Sequence, residues 1–287
     1  MDFFISQFIN SLALGALLFM MAAGLSLIFG LMNVVNLAHG SFFMIGAYTA
    51  ITIIHLTGSF WLALCIGWIP AAVVAFLVER VFIQTLYKAG HLKQVLLTFG
   101  FILVFGDACR FLWGTEILNL DPPAFLNSSL HAGSIVVPLY RFFVILFGAV
   151  TGFVLWWFLE RSRLGAMIRA GVDDAATAAG IGINVSLLFS AIFTLGAALA
   201  AIGGIIASPI MGVYLGVDID ILIPAFIVIV VGGMGSLRGA FAGAMLVALI
   251  DTFGKALFPD YALFLIYLLM IGVLLIRPEG LFGTVKG

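Results

Sequence analysis

The chain has 287 residues, 64% of them Ala, Val, Ile, Leu, Met, Phe, Trp, Tyr or Cys, with only 12 basic and 13 acidic residues and a net charge of −1. A soluble domain is roughly 45–50% apolar and about 25% charged, so too little polar surface exists here to cover a water-exposed globule, and the solvent must be lipid. The scattered cations also argue against nucleic acid as a partner, because phosphate binding needs clustered Lys and Arg.

The N-terminal stretch MDFFISQFINSLALGALLFMMAAG carries Asp2 where a secretory signal has a basic region, and reads as a retained first helix. Apolar runs long enough to cross a core of ~30 Å at ~1.5 Å per residue follow at about 8–29, 41–57, 60–79, 94–113, 138–160, 185–207 and 261–276. The stretch 221–254 could cross twice, but GGMGSLRG (232–239) interrupts it and leaves two arms short for a span. The expected architecture is an all-α polytopic membrane protein, a single transmembrane domain over 1–287 with about 8–9 spans, some of them broken or half helices.

Cations set the orientation. Arg80, Lys88 and Lys93 lie in one loop, Arg161, Arg163 and Arg169 in a second, and Arg277 and Lys286 in the tail; loops 114–137 and 208–220 have none. The three basic segments are predicted to be cytoplasmic and the N-terminus external. Loop 114–137, with Pro122, Pro123, Asn127, Ser128 and Ser129, reads as an external turn-rich connection. Asp107 and Arg110 are placed to pair locally. Glu79, Arg141, Asp251 and Lys255 lie near span ends, so no carboxylate reads as deep enough for a proton or sodium site. Cys65, Cys109 and the four histidines are scattered, without metal-ligating or catalytic spacing.

Two segments break the spans. In GLMNVVNLAHGSFFMIGAY (30–48), Asn33, Asn36 and His39 recur every three residues and would share one helical face, followed by Gly40 and Ser41. The segment is either a short connection whose amides cap helix ends or an unwound stretch whose polar groups line a path. In VVGGMGSLRGAFAGA (230–244), Gly239 and Gly243 fit close helix packing, whereas Gly232, Gly233, Gly235 and Ser236 suit a turn between half-helices that lines a path. A third segment, ERSRLGAMIRAGVDDAATAAGIGIN (160–184), puts Asp173 and Asp174 in the first turn of a short Ala-rich, weakly amphipathic helix ended by Gly180. It is either a bare surface helix or a contact for a partner.

The motif GLMNVVNLAHGSFFMIGAY, the run Asp174-Ala175-Ala176 with Gly180, Ile181, Ile183 and Asn184, the motif GGMGSLRGAFAGA, and Arg277-Pro278 with Gly280-Leu281-Phe282-Gly283 occur in that order over nearly the whole chain. Together they resemble the Liv-type permease family of bacterial ABC importers for branched-chain amino acids. The segment after Asp174 resembles the coupling loop of ABC permeases, with Asp in place of the usual Glu. The resemblance implies a non-catalytic inner-membrane permease working with a second related permease, two ABC ATPases that carry the ATP and Mg, and a periplasmic substrate-binding protein. Leu, Ile and Val are the implied cargo; sister systems carry urea, short amides or other amino acids, and an ion-coupled carrier is a more distant alternative. From the two breaks and the acid-capped loop, the expected path is lined by Asn33, Asn36, His39, Gly40, Ser41, Gly232, Gly233, Gly235 and Ser236, and coupling to the ATPases is expected through Arg163, Asp173, Asp174, Ala175, Ala176, Gly180 and Asn184 of loop 161–184. No G-x4-G-K-[ST] phosphate loop occurs, so the chain has no cofactor site of that type.

Overall fold

The computed structural model describes residues 2–87, 90–132 and 135–283, excluding the side chains of Leu31, Ala132, Ile135, Val172, Asp173 and Ala175; Lys88 and Lys286 therefore lie outside the described residues. The helices are α1 (Asp2–Met32), α2 (His39–Thr57), α3 (Phe60–Ile66), α4 (Ile69–Val81), α5 (His91–Trp113), α6 (Leu139–Arg161), α7 (Arg163–Asp173), α8 (Ala175–Gly180), α9 (Val185–Met211), α10 (Val217–Gly232), α11 (Leu237–Leu257) and α12 (Ala262–Ile276). Strands β1 (Ser129–Ala132) and β2 (Ile135–Pro138) form a small antiparallel hairpin in the turn-rich loop. Eight helical segments among the described residues are long and apolar enough to cross a membrane, with α3 and α4 counting as one and the helical turn Pro259–Tyr261 completing the α12 span. The chain is a multi-pass helical membrane protein.

The α10 helix is not among the eight. At 16 residues it spans about 24 Å, short of the ~30 Å core, and runs from beside the start of α2 to the tail at Gly232. The expectation of two short arms holds for α10 but not for α11, which has 21 residues. Ser236 caps α11 by accepting a bond from the Gly239 amide at 3.0 Å, so Leu237–Gly239 are helical and only four residues, 233–236, stay outside helix.

The core forms around α1, which packs against α6, α9, α10 and α11. Lipid tails are as apolar as Leu, so tight association rests on backbone proximity at small residues. A Cβ on Gly24 of α1 would lie 2.5 Å from the Gly196 carbonyl oxygen of α9. A Cβ on Gly46 of α2 would lie 2.3 Å from the Ala201 carbonyl oxygen, and one on Gly204 of α9 would lie 2.1 Å from that of Phe43. These positions fix where α1, α2 and α9 cross.

The basic segments share one end of the bundle. Arg80 and Gln84 both donate to the Ser186 hydroxyl, at 3.0 and 2.6 Å, joining the first basic loop to the root of α9. The tail joins the same end through Leu281 and Phe282, whose amides bond the carbonyls of Val231 and Gly232. At the opposite end Leu118 and Val213 form an isolated bridge, and Arg141 donates to Asn10 of α1. The N-terminus thus lies opposite the three basic segments. The local pair expected of Asp107 and Arg110 does not form; among the described residues the salt bridge is Lys255–Asp251, at 2.7 Å.

Candidate functional site

The first break is not a continuous helical face. Helix α1 ends at Met32, and Asn33 turns the chain with φ +49, a left-handed conformation that Asn tolerates better than most residues. The Asn33 amide still bonds the Phe29 carbonyl oxygen at 3.0 Å, and residues 34–38 then run outside helix until α2 begins at His39. This corrects the three-residue stripe: Asn33 is exposed, while Asn36, His39, Gly40 and Ser41 are buried. His39 Nε2 lies 3.2 Å from the Met21 carbonyl oxygen of α1 and donates to it in the Nε2–H tautomer, leaving Nδ1 as a bare acceptor. The Asn36 Oδ1 and Nδ2, His39 Nδ1 and the Tyr48 hydroxyl are all buried without a partner among the described residues.

A carboxylate meets this cluster. Ser41 donates to Asp218 Oδ2 at 3.0 Å, and Asp218, in the first turn of α10, is only 4% exposed. A Cβ on Gly40 would lie 2.2 Å from the Asp218 carbonyl oxygen, so only glycine lets the N-termini of α2 and α10 meet. Asp218 is thus a buried carboxylate outside the residues singled out from sequence. Glu79 is also fully buried, accepting from the Tyr87 hydroxyl with its second oxygen unpartnered. The cue for Asp218 is the run Gly216-Val217-Asp218: Gly216 has φ +101 and starts a helix whose positive end favours an acid. What sequence could not supply is the partner, 177 residues away in the chain.

The second break is assembled differently. Gly232 and Gly239 pack backbone to backbone, a Cβ on either meeting the other's carbonyl oxygen at 2.1 Å. Gly233 (φ +104) lies against Gly280 and Gly283 of the tail, and Gly235 (φ +80) against Gly30 at the end of α1. The tail amides of Leu281 and Phe282 bond the last carbonyls of α10 at 2.9 Å each, satisfying groups that a helix end otherwise leaves open. The structure thus separates the two sets of residues expected to line a path. Asn36, His39, Gly40 and Ser41 gather at the N-terminus of α10, and Gly232, Gly233, Gly235 and Ser236 lie at its C-terminal end, beside Gly30 and the tail.

Loop 161–184 folds into two short helices. Ser162 caps α7 by accepting from the Gly165 amide at 2.8 Å, and exposed Arg163 is its first residue. Asp174 is the N-cap of α8, not a first-turn residue: its carboxylate accepts from the amides of Ala176 and Thr177, at 2.9 and 3.0 Å, and from the Thr177 hydroxyl at 2.5 Å. The Thr177 hydroxyl first, then the amides, hold this carboxyl below the usual carboxylate range. Asp173 ends α7, and its side chain, like that of Ala175, lies outside the described residues. Ala176, Thr177, Ala179, Gly180 and Ile181 are exposed, and the helix ends at Gly180 as expected. Asn184 caps α9 by accepting from the Leu187 amide at 3.0 Å, so the hairpin runs directly into that helix.

At the end opposite the hairpin, a cavity of about 390 Å³ is lined by Asn10, Leu17, Arg141, Asp251 and Lys255 among others. It combines charged groups of both signs with an apolar floor.

The family described as branched-chain amino acid transport system / permease component matches residues 7–274. The high-affinity branched-chain amino acid transport system permease protein BraD of Pseudomonas aeruginosa is 28% identical, covering 98% of this chain and 96% of its own. The corresponding permease protein LivH of Escherichia coli K12 is 27% identical over the same shares. LivM of that organism is 25% identical over 90% of this chain and 66% of its own. No solved structure gives a significant match.

Proposed function

The chain belongs to the family of branched-chain amino acid transport permease components, and from that membership we propose that it forms half of a conduit carrying Leu, Ile and Val across a bacterial inner membrane. A related permease supplies the other half, two cytoplasmic ATPases drive it, and a periplasmic binding protein delivers the cargo. The relatives named for branched-chain amino acid transport support the cargo, and the mixed-charge cavity opposite the basic end suits entry of a zwitterion.

The observation that carries the reading is the exposed, acid-capped α7–α8 hairpin, on the same end as the basic segments. A Cβ on Gly165 would lie 2.3 Å from the Leu159 carbonyl oxygen, so α7 is seated on the end of α6 with no room to slide. Past Gly180, the chain enters α9, which packs against α1, α2 and α4. A push on α8 therefore reaches α2 through one rigid helix, and the Ser41–Asp218 bond is the polar contact it would open.

Gly180 has nothing within 4 Å of where a Cβ would sit. Gly180→Arg in the reconstituted complex is expected to abolish ATP-driven leucine uptake while leaving the melting temperature of the chain unchanged. Normal uptake by that variant would remove the hairpin from the mechanism. Buried Asp218 favours a second reading, coupling to a cation gradient. Uptake that persists in ATP-depleted vesicles and follows such a gradient would select it.

A further inference from the structure

Two adjoining cavities at the basic end, the first bordering the closed turn through Gly235 and Ser236, make a head and a tail. The first, about 260 Å³, lies between the end of α1, the end of α6, α7 and the start of α11, with Arg169, Arg238, Ser236 and Glu160 among its lining residues. The second, about 490 Å³, is almost wholly apolar: Phe19, Ala149, Gly152, Phe153 and Phe241 line it. They share Trp156, Leu237 and Arg238, so the apolar groove opens directly from the charged cleft. From Trp156 back to Ala149 it follows α6 for about 10 Å toward the middle of the bundle.

Arg238 is the telling residue. It is the second residue of α11, where the positive end of a 21-residue helix disfavours a cation. It has no hydrogen bond or ion pair among the described residues. Arg169 donates to the Leu159 carbonyl oxygen and keeps its remaining guanidinium donors free. Glu160 is the one carboxylate lining the cleft, and it forms no salt bridge with either arginine. Two guanidinium groups and a helix N-terminus around one small cleft call for an anion, and a phosphodiester is the anion a bilayer supplies at that depth.

We propose that this cleft holds the phosphate of an anionic phospholipid from the leaflet on the basic side, with one acyl chain laid along the α6–α11 groove. The headgroup neutralises Arg238 at the α11 N-terminus and bridges it to Arg169. Because Arg169 and Ile168 belong to α7, the lipid braces the root of the hairpin against the bundle. The apolar groove distinguishes a lipid from free phosphate, which would need only the cleft.

The test is native mass spectrometry of the full chain, purified in mild detergent and titrated with phosphatidylglycerol, with phosphatidylcholine of the same acyl chains, or with glycerol phosphate. Phosphatidylglycerol adducts are expected to dominate. Arg238→Gln and Arg169→Gln should each weaken them about fivefold, the worth of one arginine near an anionic surface. Ala149→Trp, which fills the groove from an exposed position, should also weaken them, and Arg110→Gln, on α5 at the far end, should not. Parent-level phosphatidylglycerol binding in all three site variants, or equal binding of phosphatidylcholine, overturns the proposal. So does glycerol phosphate binding as well as the lipid with no effect of Ala149→Trp, which makes this a phosphate site, or a dimer without lipid that Ala149→Trp disrupts, which makes the groove a protein interface. If Arg238→Gln fails to fold, Arg169→Gln and Ala149→Trp decide the matter.

Discussion

The two broken segments look alike in sequence, each a Gly- and Ser-containing interruption beside an apolar run, yet they end up in opposite physical states. The turn at 233–236 is closed: its glycines seat backbone on backbone, and the tail bonds the last carbonyls of α10. The segment 33–41 is left open in hydrogen-bonding terms, with Asn36 and His39 buried and polar atoms of both unpartnered. An unpartnered buried polar atom costs about 1–3 kcal/mol, so the turn at 233–236 holds stability and the segment 33–41 forgoes it. Transport needs replaceable contacts, and forgone bonds of this kind are where a passing polar solute gains most.

That contrast can be broken from either side. The largest effect is expected at the closed turn: Gly232→Ala drives a methyl to within 2.1 Å of the Gly239 carbonyl oxygen, and thermal melting in detergent should show a loss of about 3 kcal/mol or a failure to fold. A melting temperature near that of the parent would mean the turn is not a packing joint. Asn36→Leu keeps the side chain's shape and removes two unpartnered atoms, so the chain should gain about 1–3 kcal/mol while uptake by the reconstituted complex falls steeply. Loss of both stability and uptake would assign Asn36 a structural role and erase the distinction between the two breaks.

The smallest effect belongs to the hairpin. Asp174 has its folded carboxyl held below the ordinary range, so its capping contribution is complete above about pH 4 and is lost as pH falls through the lower folded value. Amide exchange at Ala176 and Thr177, corrected for intrinsic rates, should be flat from pH 6 to 8 and accelerate below pH 4. Asp174→Asn should cap the helix without that acid response; an identical acid response in the variant would place its origin elsewhere.

Much of the architecture was legible because lipid imposes one rule. Each span must satisfy its backbone internally, so length and hydropathy alone locate seven of the eight span-length helices, and the cation pattern groups the basic loops that the structure brings together. The hairpin was legible too, since an Asp before an Ala run and a Gly after it are local signals, although Asp174 caps the helix and Asp173 ends the preceding one. Asp218 was not. Its first-turn position is local, but its burial depends on Gly40 admitting the α10 backbone and on a hydroxyl supplied by another helix.

Composition and periodicity by themselves determined that this chain is a helical membrane protein with its basic loops grouped at one end, because burial in lipid is decided residue by residue. Only the tertiary structure decided which interruption is sealed and which keeps polar atoms in waiting. That outcome depends on backbone meeting backbone at glycines such as Gly30 and Gly235, 205 positions apart, a distance over which no local propensity acts.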